Sequence, residues 1–435
     1  MQALLSFEQA PPISAPMRFF ITAPVFAMLA GALILYSGPE LFTSRWTPTA
    51  LALTHLITAG FMLQVMLGAL QQLLPVVVGA NLPQPLQIAS LVHAAITPGA
   101  LFLAAAFLTY EPLLFACAGA LLAIGVLLFI WAATHALCGI STSSPTLRGL
   151  KLALLGLSVT VLTGLVLAVS IAFALEMPLV QLTNLHLGWG FIAWGCGVLA
   201  AVGFVVVPMF QLTPEYPIWF GRGFAIAVLT TVSLWTIADL SGWADSATLF
   251  AGVMVVSGTF FSVLTLKLLK LSKRAKPDAS HHFWSFSMVA ASLSGILWLA
   301  TRFSGSLDAW QGWPLLFGVL ILFGCFMSVM VGMLYKIVPF LVWLHLENRG
   351  RGKVLAPNMK KVLPQKRIDK QMRAHFLACA LLLLSVFWPE WFVYPAGLAL
   401  IVANGWLLRN LFYATAIYRS HLGVIEAAVL RSAGN

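Results

Sequence analysis

At 435 residues, with 60% hydrophobic and only 9% charged side chains, the chain lies far below the roughly 25% charge of soluble globular domains. That excludes an ordinary soluble enzyme or binding module and points to a polytopic membrane protein. The net charge of +11 is explained by where Lys and Arg fall between the apolar runs, so the expected partner is the lipid bilayer and not nucleic acid.

About twelve apolar runs reach the roughly 20-residue length that crosses a bilayer: near 18–37, 50–79, 86–108, 111–138, 149–174, 183–212, 219–239, 247–269, 282–301, 313–343, 374–389 and 393–415. Hydrocarbon leaves only helices or a closed barrel, and runs this long are helices. The expected fold class is an all-α membrane protein of about twelve transmembrane helices, one polytopic domain over 1–435 with a basic cytoplasmic loop at 346–373. Arg18, Arg148, Lys151, Arg222, the Lys267–Lys276 cluster and the Arg349–Arg373 cluster share one side if the first run starts in the cytoplasm, with only Arg45 and Arg302 opposite. Cationic loops are retained in the cytoplasm, so both termini are expected there, with the basic loops against anionic lipid. The expected location is a bacterial inner membrane. The first seventeen residues contain Glu8, Pro11, Pro12 and Pro16 in place of the basic-then-apolar layout of a cleaved signal, so the first run reads as an uncleaved start.

The second run, HLITAGFMLQVMLGALQQLLPVVVG from His55 to Gly79, carries a histidine, the small residues Gly60 and Gly68, and Gln64, Gln71 and Gln72. Polar groups without water face the bundle interior and mark a ligand, a pathway or a helix contact. Its skeleton returns late in the chain: Gly60, Gly68 and Pro75 are spaced like Gly324, Gly332 and Pro339, with Val319 where His55 would stand. His93 in the third run and His135 in the fourth share a depth, so a bis-histidine site is possible if the two helices face each other. His135 and Cys138 are one helical turn apart, a weak metal-ligand spacing. The five cysteines sit in apolar runs without a CxxC pair and read as small core residues.

The sixth run opens with His186 and continues through Gly188, Gly190, Gly195, Gly197 and Gly203, which allow close approach of a helix or a flat cofactor. It enters the membrane from the same side as the second run. His55 and His186 are therefore expected at similar depth in the outer half, with a metal or porphyrin between them as one reading. The second, sixth and tenth runs are expected together at the centre.

The segment His186-Leu-Gly-Trp-Gly-Phe191 followed by VVVP resembles the copper-ligand helix of the haem-copper oxidase catalytic subunit, nearest its cbb3-type and nitric-oxide-reductase branch. His55 on the second of twelve helices resembles that family's low-spin haem ligand. MRFFITAPVFAM and the His55-to-Pro75 pattern are also similar to the NnrS-like twelve-helix haem-copper membrane proteins. The resemblance implies an oxidase-subunit-I-like bundle, haem b with His55 as axial ligand, copper as a possible second cofactor, and other membrane or respiratory subunits as partners. It implies an accessory or sensing role in respiratory or nitrogen-oxide metabolism. His186 would be a cofactor or copper ligand, and Gly60 and Gly68 would make room for a flat ring. The seventh run, FAIAVLTTVSLWTIADLSGW, has no histidine, and Phe317 and Val319 stand where the family has its tenth-helix pair. The usual binuclear centre is thus expected to be absent, and the family's activity does not travel with its fold.

Adjacent His281 and His282 diverge by about 100° on a helix and do not suit one ion. Lys336 reads as snorkelling to the inner interface or as a partner for a proton, an anion or a propionate. Two other function classes remain open: a small-molecule or ion transporter or channel whose path is lined by Gln64, Gln71, Gln72, Asn184, Lys336 and Asn404, and a redox enzyme with a rearranged metal site of His93, His135 and His186.

Overall fold

The computed structural model describes residues 9–141, 144–350 and 354–433. Twelve helices are long and apolar enough to cross a membrane: α1 (Ser14–Phe42), α2 (Pro48–Val78), α3 (Pro85–Thr109), α4 (Pro112–Cys138), α5 (Pro145–Ala172), α6 (Leu179–Gln211), α7 (Ile218–Leu240), α8 (Ala244–Lys270), α9 (Ala279–Phe303), α10 (Trp313–Gly350), α11 (Gln365–Phe387) and α12 (Pro389–Ala427). No strand occurs among the described residues. The chain is a multi-pass membrane protein.

The helix starts follow from local chemistry. Proline opens α2, α3, α4, α5 and α12, at the one position where its missing N–H costs nothing. Thr47, Ser144 and Asp278 accept from the backbone N–H of Ala50, Leu147 and His281, satisfying donors that lipid cannot. Gly79, at φ +76°, closes α2 in the left-handed region, where glycine carries no steric cost.

The basic stretch expected as a loop at 346–373 is shorter than that. α10 runs to Gly350, a short helix spans Met359–Val362 with Asn358 as its cap, and α11 starts at Gln365. The helices continue past the apolar run because their polar flanks still gain backbone hydrogen bonds. Residues 351–353 of that stretch lie outside the described residues, as do residues 142–143 after α4 and Glu8 of the opening segment.

Three helices depart from α-geometry at matching places. α2, α6 and α10 carry π-helical segments over Leu56–Met62, Trp189–Cys196 and Leu320–Met327. Each segment begins nineteen residues before a proline, Pro75, Pro208 or Pro339. In α2, the Leu63 N–H reaches the Thr58 carbonyl five residues back. Thr54 and Thr58 hydroxyls take the carbonyls of Ala50 and Thr54 just before and within the distortion, the kind of competition that bends a helix.

The same register governs packing. A Cβ on Gly60 would run into the Phe26 ring and one on Gly68 would meet Phe20 at 2.8 Å; one on Gly324 would meet Ala290 at 2.8 Å and one on Gly332 would meet Phe283 at 2.5 Å. In the middle of the chain the roles are exchanged. Gly156 and Gly149 of α5 receive Ala193 and Ala201 of α6. So α1–α2, α5–α6 and α9–α10 pack alike, and the chain is three four-helix units, of which the sequence shows two. The units join where α4 meets α5, α8 meets α9, and α12 meets α1.

α2, α6 and α10 meet at the centre. The most apolar stretches of α2 and α10 are 83% and 72% buried, against 22% for α8. α6 meets α10 where Phe326 packs against Gly195 and Phe191, and the π segments of α2 and α10 touch. The third edge, α2 against α6, carries the histidines.

Candidate functional site

His55 and His186 face each other across the α2–α6 edge, with ring centroids 6.5 Å apart and planes inclined by 26°. They share one depth. The Nδ1–H of His55 donates to the Leu51 carbonyl at 2.8 Å, and the Nδ1–H of His186 donates to the Thr160 carbonyl at 3.0 Å, with the Thr163 hydroxyl at 3.3 Å. A carbonyl can only accept, so each neutral ring keeps Nε2 as its lone-pair nitrogen. This is how ligating histidines are oriented from behind.

The walls of the site come from the neighbouring helices. Phe107 of α3 stacks on His55 at 4.9 Å and is itself met edge-on by Phe115 of α4. Gly164 of α5 lies against His186, where a Cβ would come within 2.9 Å of Cε1. Trp189, one turn further along α6, donates through Nε1 to Thr236 of α7 at 2.9 Å, which fixes the start of the π segment. Nearby, Gln181, Asn184 and Asp239 line a mouth of about 400 Å³ at the end of α6 that carries His186, and Gln181 Nε2 donates to the Asp239 carbonyl.

A metal–nitrogen bond of about 2.0 Å plus roughly 1.1 Å from nitrogen to ring centre puts a ligating ring about 3.1 Å from its metal. Two rings on opposite sides of one ion are then about 6.2 Å apart, close to the spacing seen here. A bare ion would need one or two further ligands. No group of three or more His, Cys, Asp or Glu suited to one ion occurs among the described residues. Iron in a porphyrin brings four nitrogens of its own and asks the protein for the two axial ones. The donor set therefore fits haem better than a naked metal.

Other expected site residues lie elsewhere. His93 sits 2.8 Å from the Thr22 hydroxyl and edge-on to Phe19 of α1. His135 is exposed beside Trp131 on the outer face of α4. With His186 held by α5 and α2, the set His93, His135 and His186 is not assembled, because each ring is taken by a different neighbour. Gly60 and Gly68 are corrected in the same way: the side chains that enter over them are Phe26 and Phe20 of α1, so both serve helix packing and not the seating of a ring.

The glutamines of α2 are deeply enclosed. Gln64 and Gln71 are fully buried and Gln72 is 6% exposed. Gln64 donates to Thr97 of α3 at 2.9 Å, while its Oε1 and both polar atoms of Gln71 and Gln72 have no protein partner. Each such group costs about 1–3 kcal/mol. The equivalent positions on α10 are all satisfied. Ser328 is 2.8 Å from His375 Nε2, Tyr335 accepts from Asn410, and Lys336 pairs with Asp278.

Asp278 caps α9 at the membrane edge and also lies 3.2 Å from Arg274. Burial pushes its carboxyl up, but the hydrogen bond and charge of Lys336, with help from the His281 N–H and Arg274, hold it below the ordinary value. Arg274 in turn donates to the Phe210 carbonyl, and Ser272 to the Gln211 carbonyl. The α8–α9 connection thus caps the end of α6 and ties it to α10.

His375 on α11 is the site-like residue that sequence reasoning passes over. It is fully enclosed, its Nδ1 has no protein partner, and Cys379 lies 3.6 Å from its Nε2. The readable signal is Ser328 at the position of Gln64: a polar group at the centre requires a polar group facing it.

A scan against protein-family models finds no match to this chain, and a search of curated proteins finds none.

Proposed function

We propose that the chain holds one haem b between α2 and α6, with His55 and His186 as the two axial ligands. The reading takes the protein as an oxidase-like integral membrane protein of the bacterial inner membrane, both termini cytoplasmic, with an accessory or sensing role in respiratory or nitrogen-oxide metabolism. The observation that carries it is the opposed pair of imidazoles, 6.5 Å apart, each pinned through Nδ1 by a backbone carbonyl.

Bound haem would supply one-electron chemistry. His55 and His186 would hold the group, each with Nδ1 tied to a carbonyl and Nε2 left as the lone-pair nitrogen, while Phe107 closes the side towards α3. With both imidazoles engaged in holding the group, the arrangement would suit electron passage. The test is the absorption spectrum of the purified full chain and of His55→Ala and His186→Ala. A Soret band in the parent that is lost or shifted in both variants is expected. No haem in a haem-replete preparation, or two unchanged spectra, overturns the reading.

A second reading, a path for a small polar solute, draws on the five orphaned polar atoms of Gln64, Gln71 and Gln72 and the orphaned Oδ1 of Asn404. Solute uptake by vesicles holding the parent, lost in Gln71→Leu, is the outcome that separates it from the first.

A further inference from the structure

The third unit contains a small cavity. It holds about 70 Å³ between α9, α10 and α11, with Ala290, Val319, Gly324 and Cys379 in its lining and Val289 and Leu293 at its rim. Its origin lies in the internal repeat. Ala290 occupies the place over Gly324 that Phe26 occupies over Gly60, so a phenyl ring is replaced by a methyl group and the space is left.

The chemistry of the lining limits the occupant. Every lining residue is apolar except Cys379, whose thiol already donates to the Phe323 carbonyl at 3.6 Å. A buried water needs two to four polar partners, and apolar cavities lacking them stay dry. The volume is about half of the roughly 150 Å³ at which an apolar cavity takes benzene, so an aromatic ring is too large, while a single atom or one small molecule fits. Access is from the lipid side: Val289 and Leu293 are 45% and 49% exposed on the outer face of α9.

We propose that the α9–α10–α11 cavity is a binding site for one neutral gas molecule of two or three heavy atoms, entering from the acyl-chain phase of the bilayer. The site is independent of the His55–His186 reading.

Xenon is the probe. The full chain in lipid nanodiscs, equilibrated under xenon pressure, is expected to show one bound atom beside Ala290 and Gly324, by anomalous diffraction or by xenon NMR. Ala290→Phe, which copies the Phe26 arrangement, is expected to abolish that signal with the protein still inserted and no less stable to heat. Should that variant fail to insert, Ala290→Val must still weaken xenon binding, and Leu383→Ala, which enlarges the cavity, must strengthen it. Lipid acyl density filling the cavity in the parent, xenon bound only elsewhere, or binding unmoved by the Ala290 and Leu383 variants overturns the proposal. None of these outcomes bears on the haem spectrum.

Discussion

The first and third units share a skeleton and differ in chemistry. Both place a π segment nineteen residues before a proline and receive the preceding helix over two glycines. In the third unit every polar side chain at the centre of α10 has its partner: Ser328 with His375, Tyr335 with Asn410, Lys336 with Asp278. In the first, Gln71 and Gln72 have none and a histidine replaces Val319. Shared packing is what the architecture needs; unpaired polarity is costly and is kept where something else recovers the cost. The comparison places the unpaired glutamines and the opposed histidines in the first unit and at its edge with the second, while the paired polar groups of α10 brace the third.

The brace is tested most strongly at its ion pair. Lys336→Ala leaves the half-buried Asp278 with Arg274 as its one ion partner beside the His281 N–H, and is expected to cost about 3 kcal/mol, read as a lower unfolding midpoint in detergent. The same pair gives an acid limit. The folded-state pKa of Asp278 is lowered, so its contribution is complete above the unfolded carboxylate value of about 3.9 and is lost as pH falls through the lower folded value. Asp278→Asn should remove that part of the acid sensitivity, and an unchanged acid profile would argue against the brace.

Gly60→Ala drives a methyl into the Phe26 ring. Overpacking of this kind costs about 2 kcal/mol. Because Gly60 packs α1 and does not seat a ring, any haem bound by the variant should keep its parent spectrum. Gln71→Leu is expected to act the other way, raising stability by about 1 kcal/mol by removing two orphaned atoms. Gln71 lies about 24 Å along the helix from His55, so the Soret band should stay in place; a moved band would join the glutamines to the haem site. The smallest effect is expected at the exposed Arg302–Asp308 pair, 36% and 50% accessible, where Asp308→Ala should cost under about 1 kcal/mol.

Much of this architecture is legible in the chain. Apolar run length gives the twelve spans, and the spacing of Gly60, Gly68 and Pro75 against Gly324, Gly332 and Pro339 gives two units. The second unit is hidden because its small residues moved across the interface, with Gly149 and Gly156 on α5 facing Ala201 and Ala193 on α6. A glycine announces that something approaches closely but not what, so Phe26 and Phe20 could be mistaken for a cofactor. His55 and His186 are found from the apolar runs that hold them, since a histidine in lipid needs a partner. The pairing of Lys336 with Asp278 and the enclosure of His375 depend on contacts between distant segments, which no local pattern records.

Low-temperature EPR of the oxidised full chain tests the central claim most directly, because it reports the axial ligands themselves. The account predicts a low-spin ferric signal in the parent and a high-spin signal in both His55→Ala and His186→Ala. A high-spin parent, or a low-spin signal surviving in either variant, would contradict it.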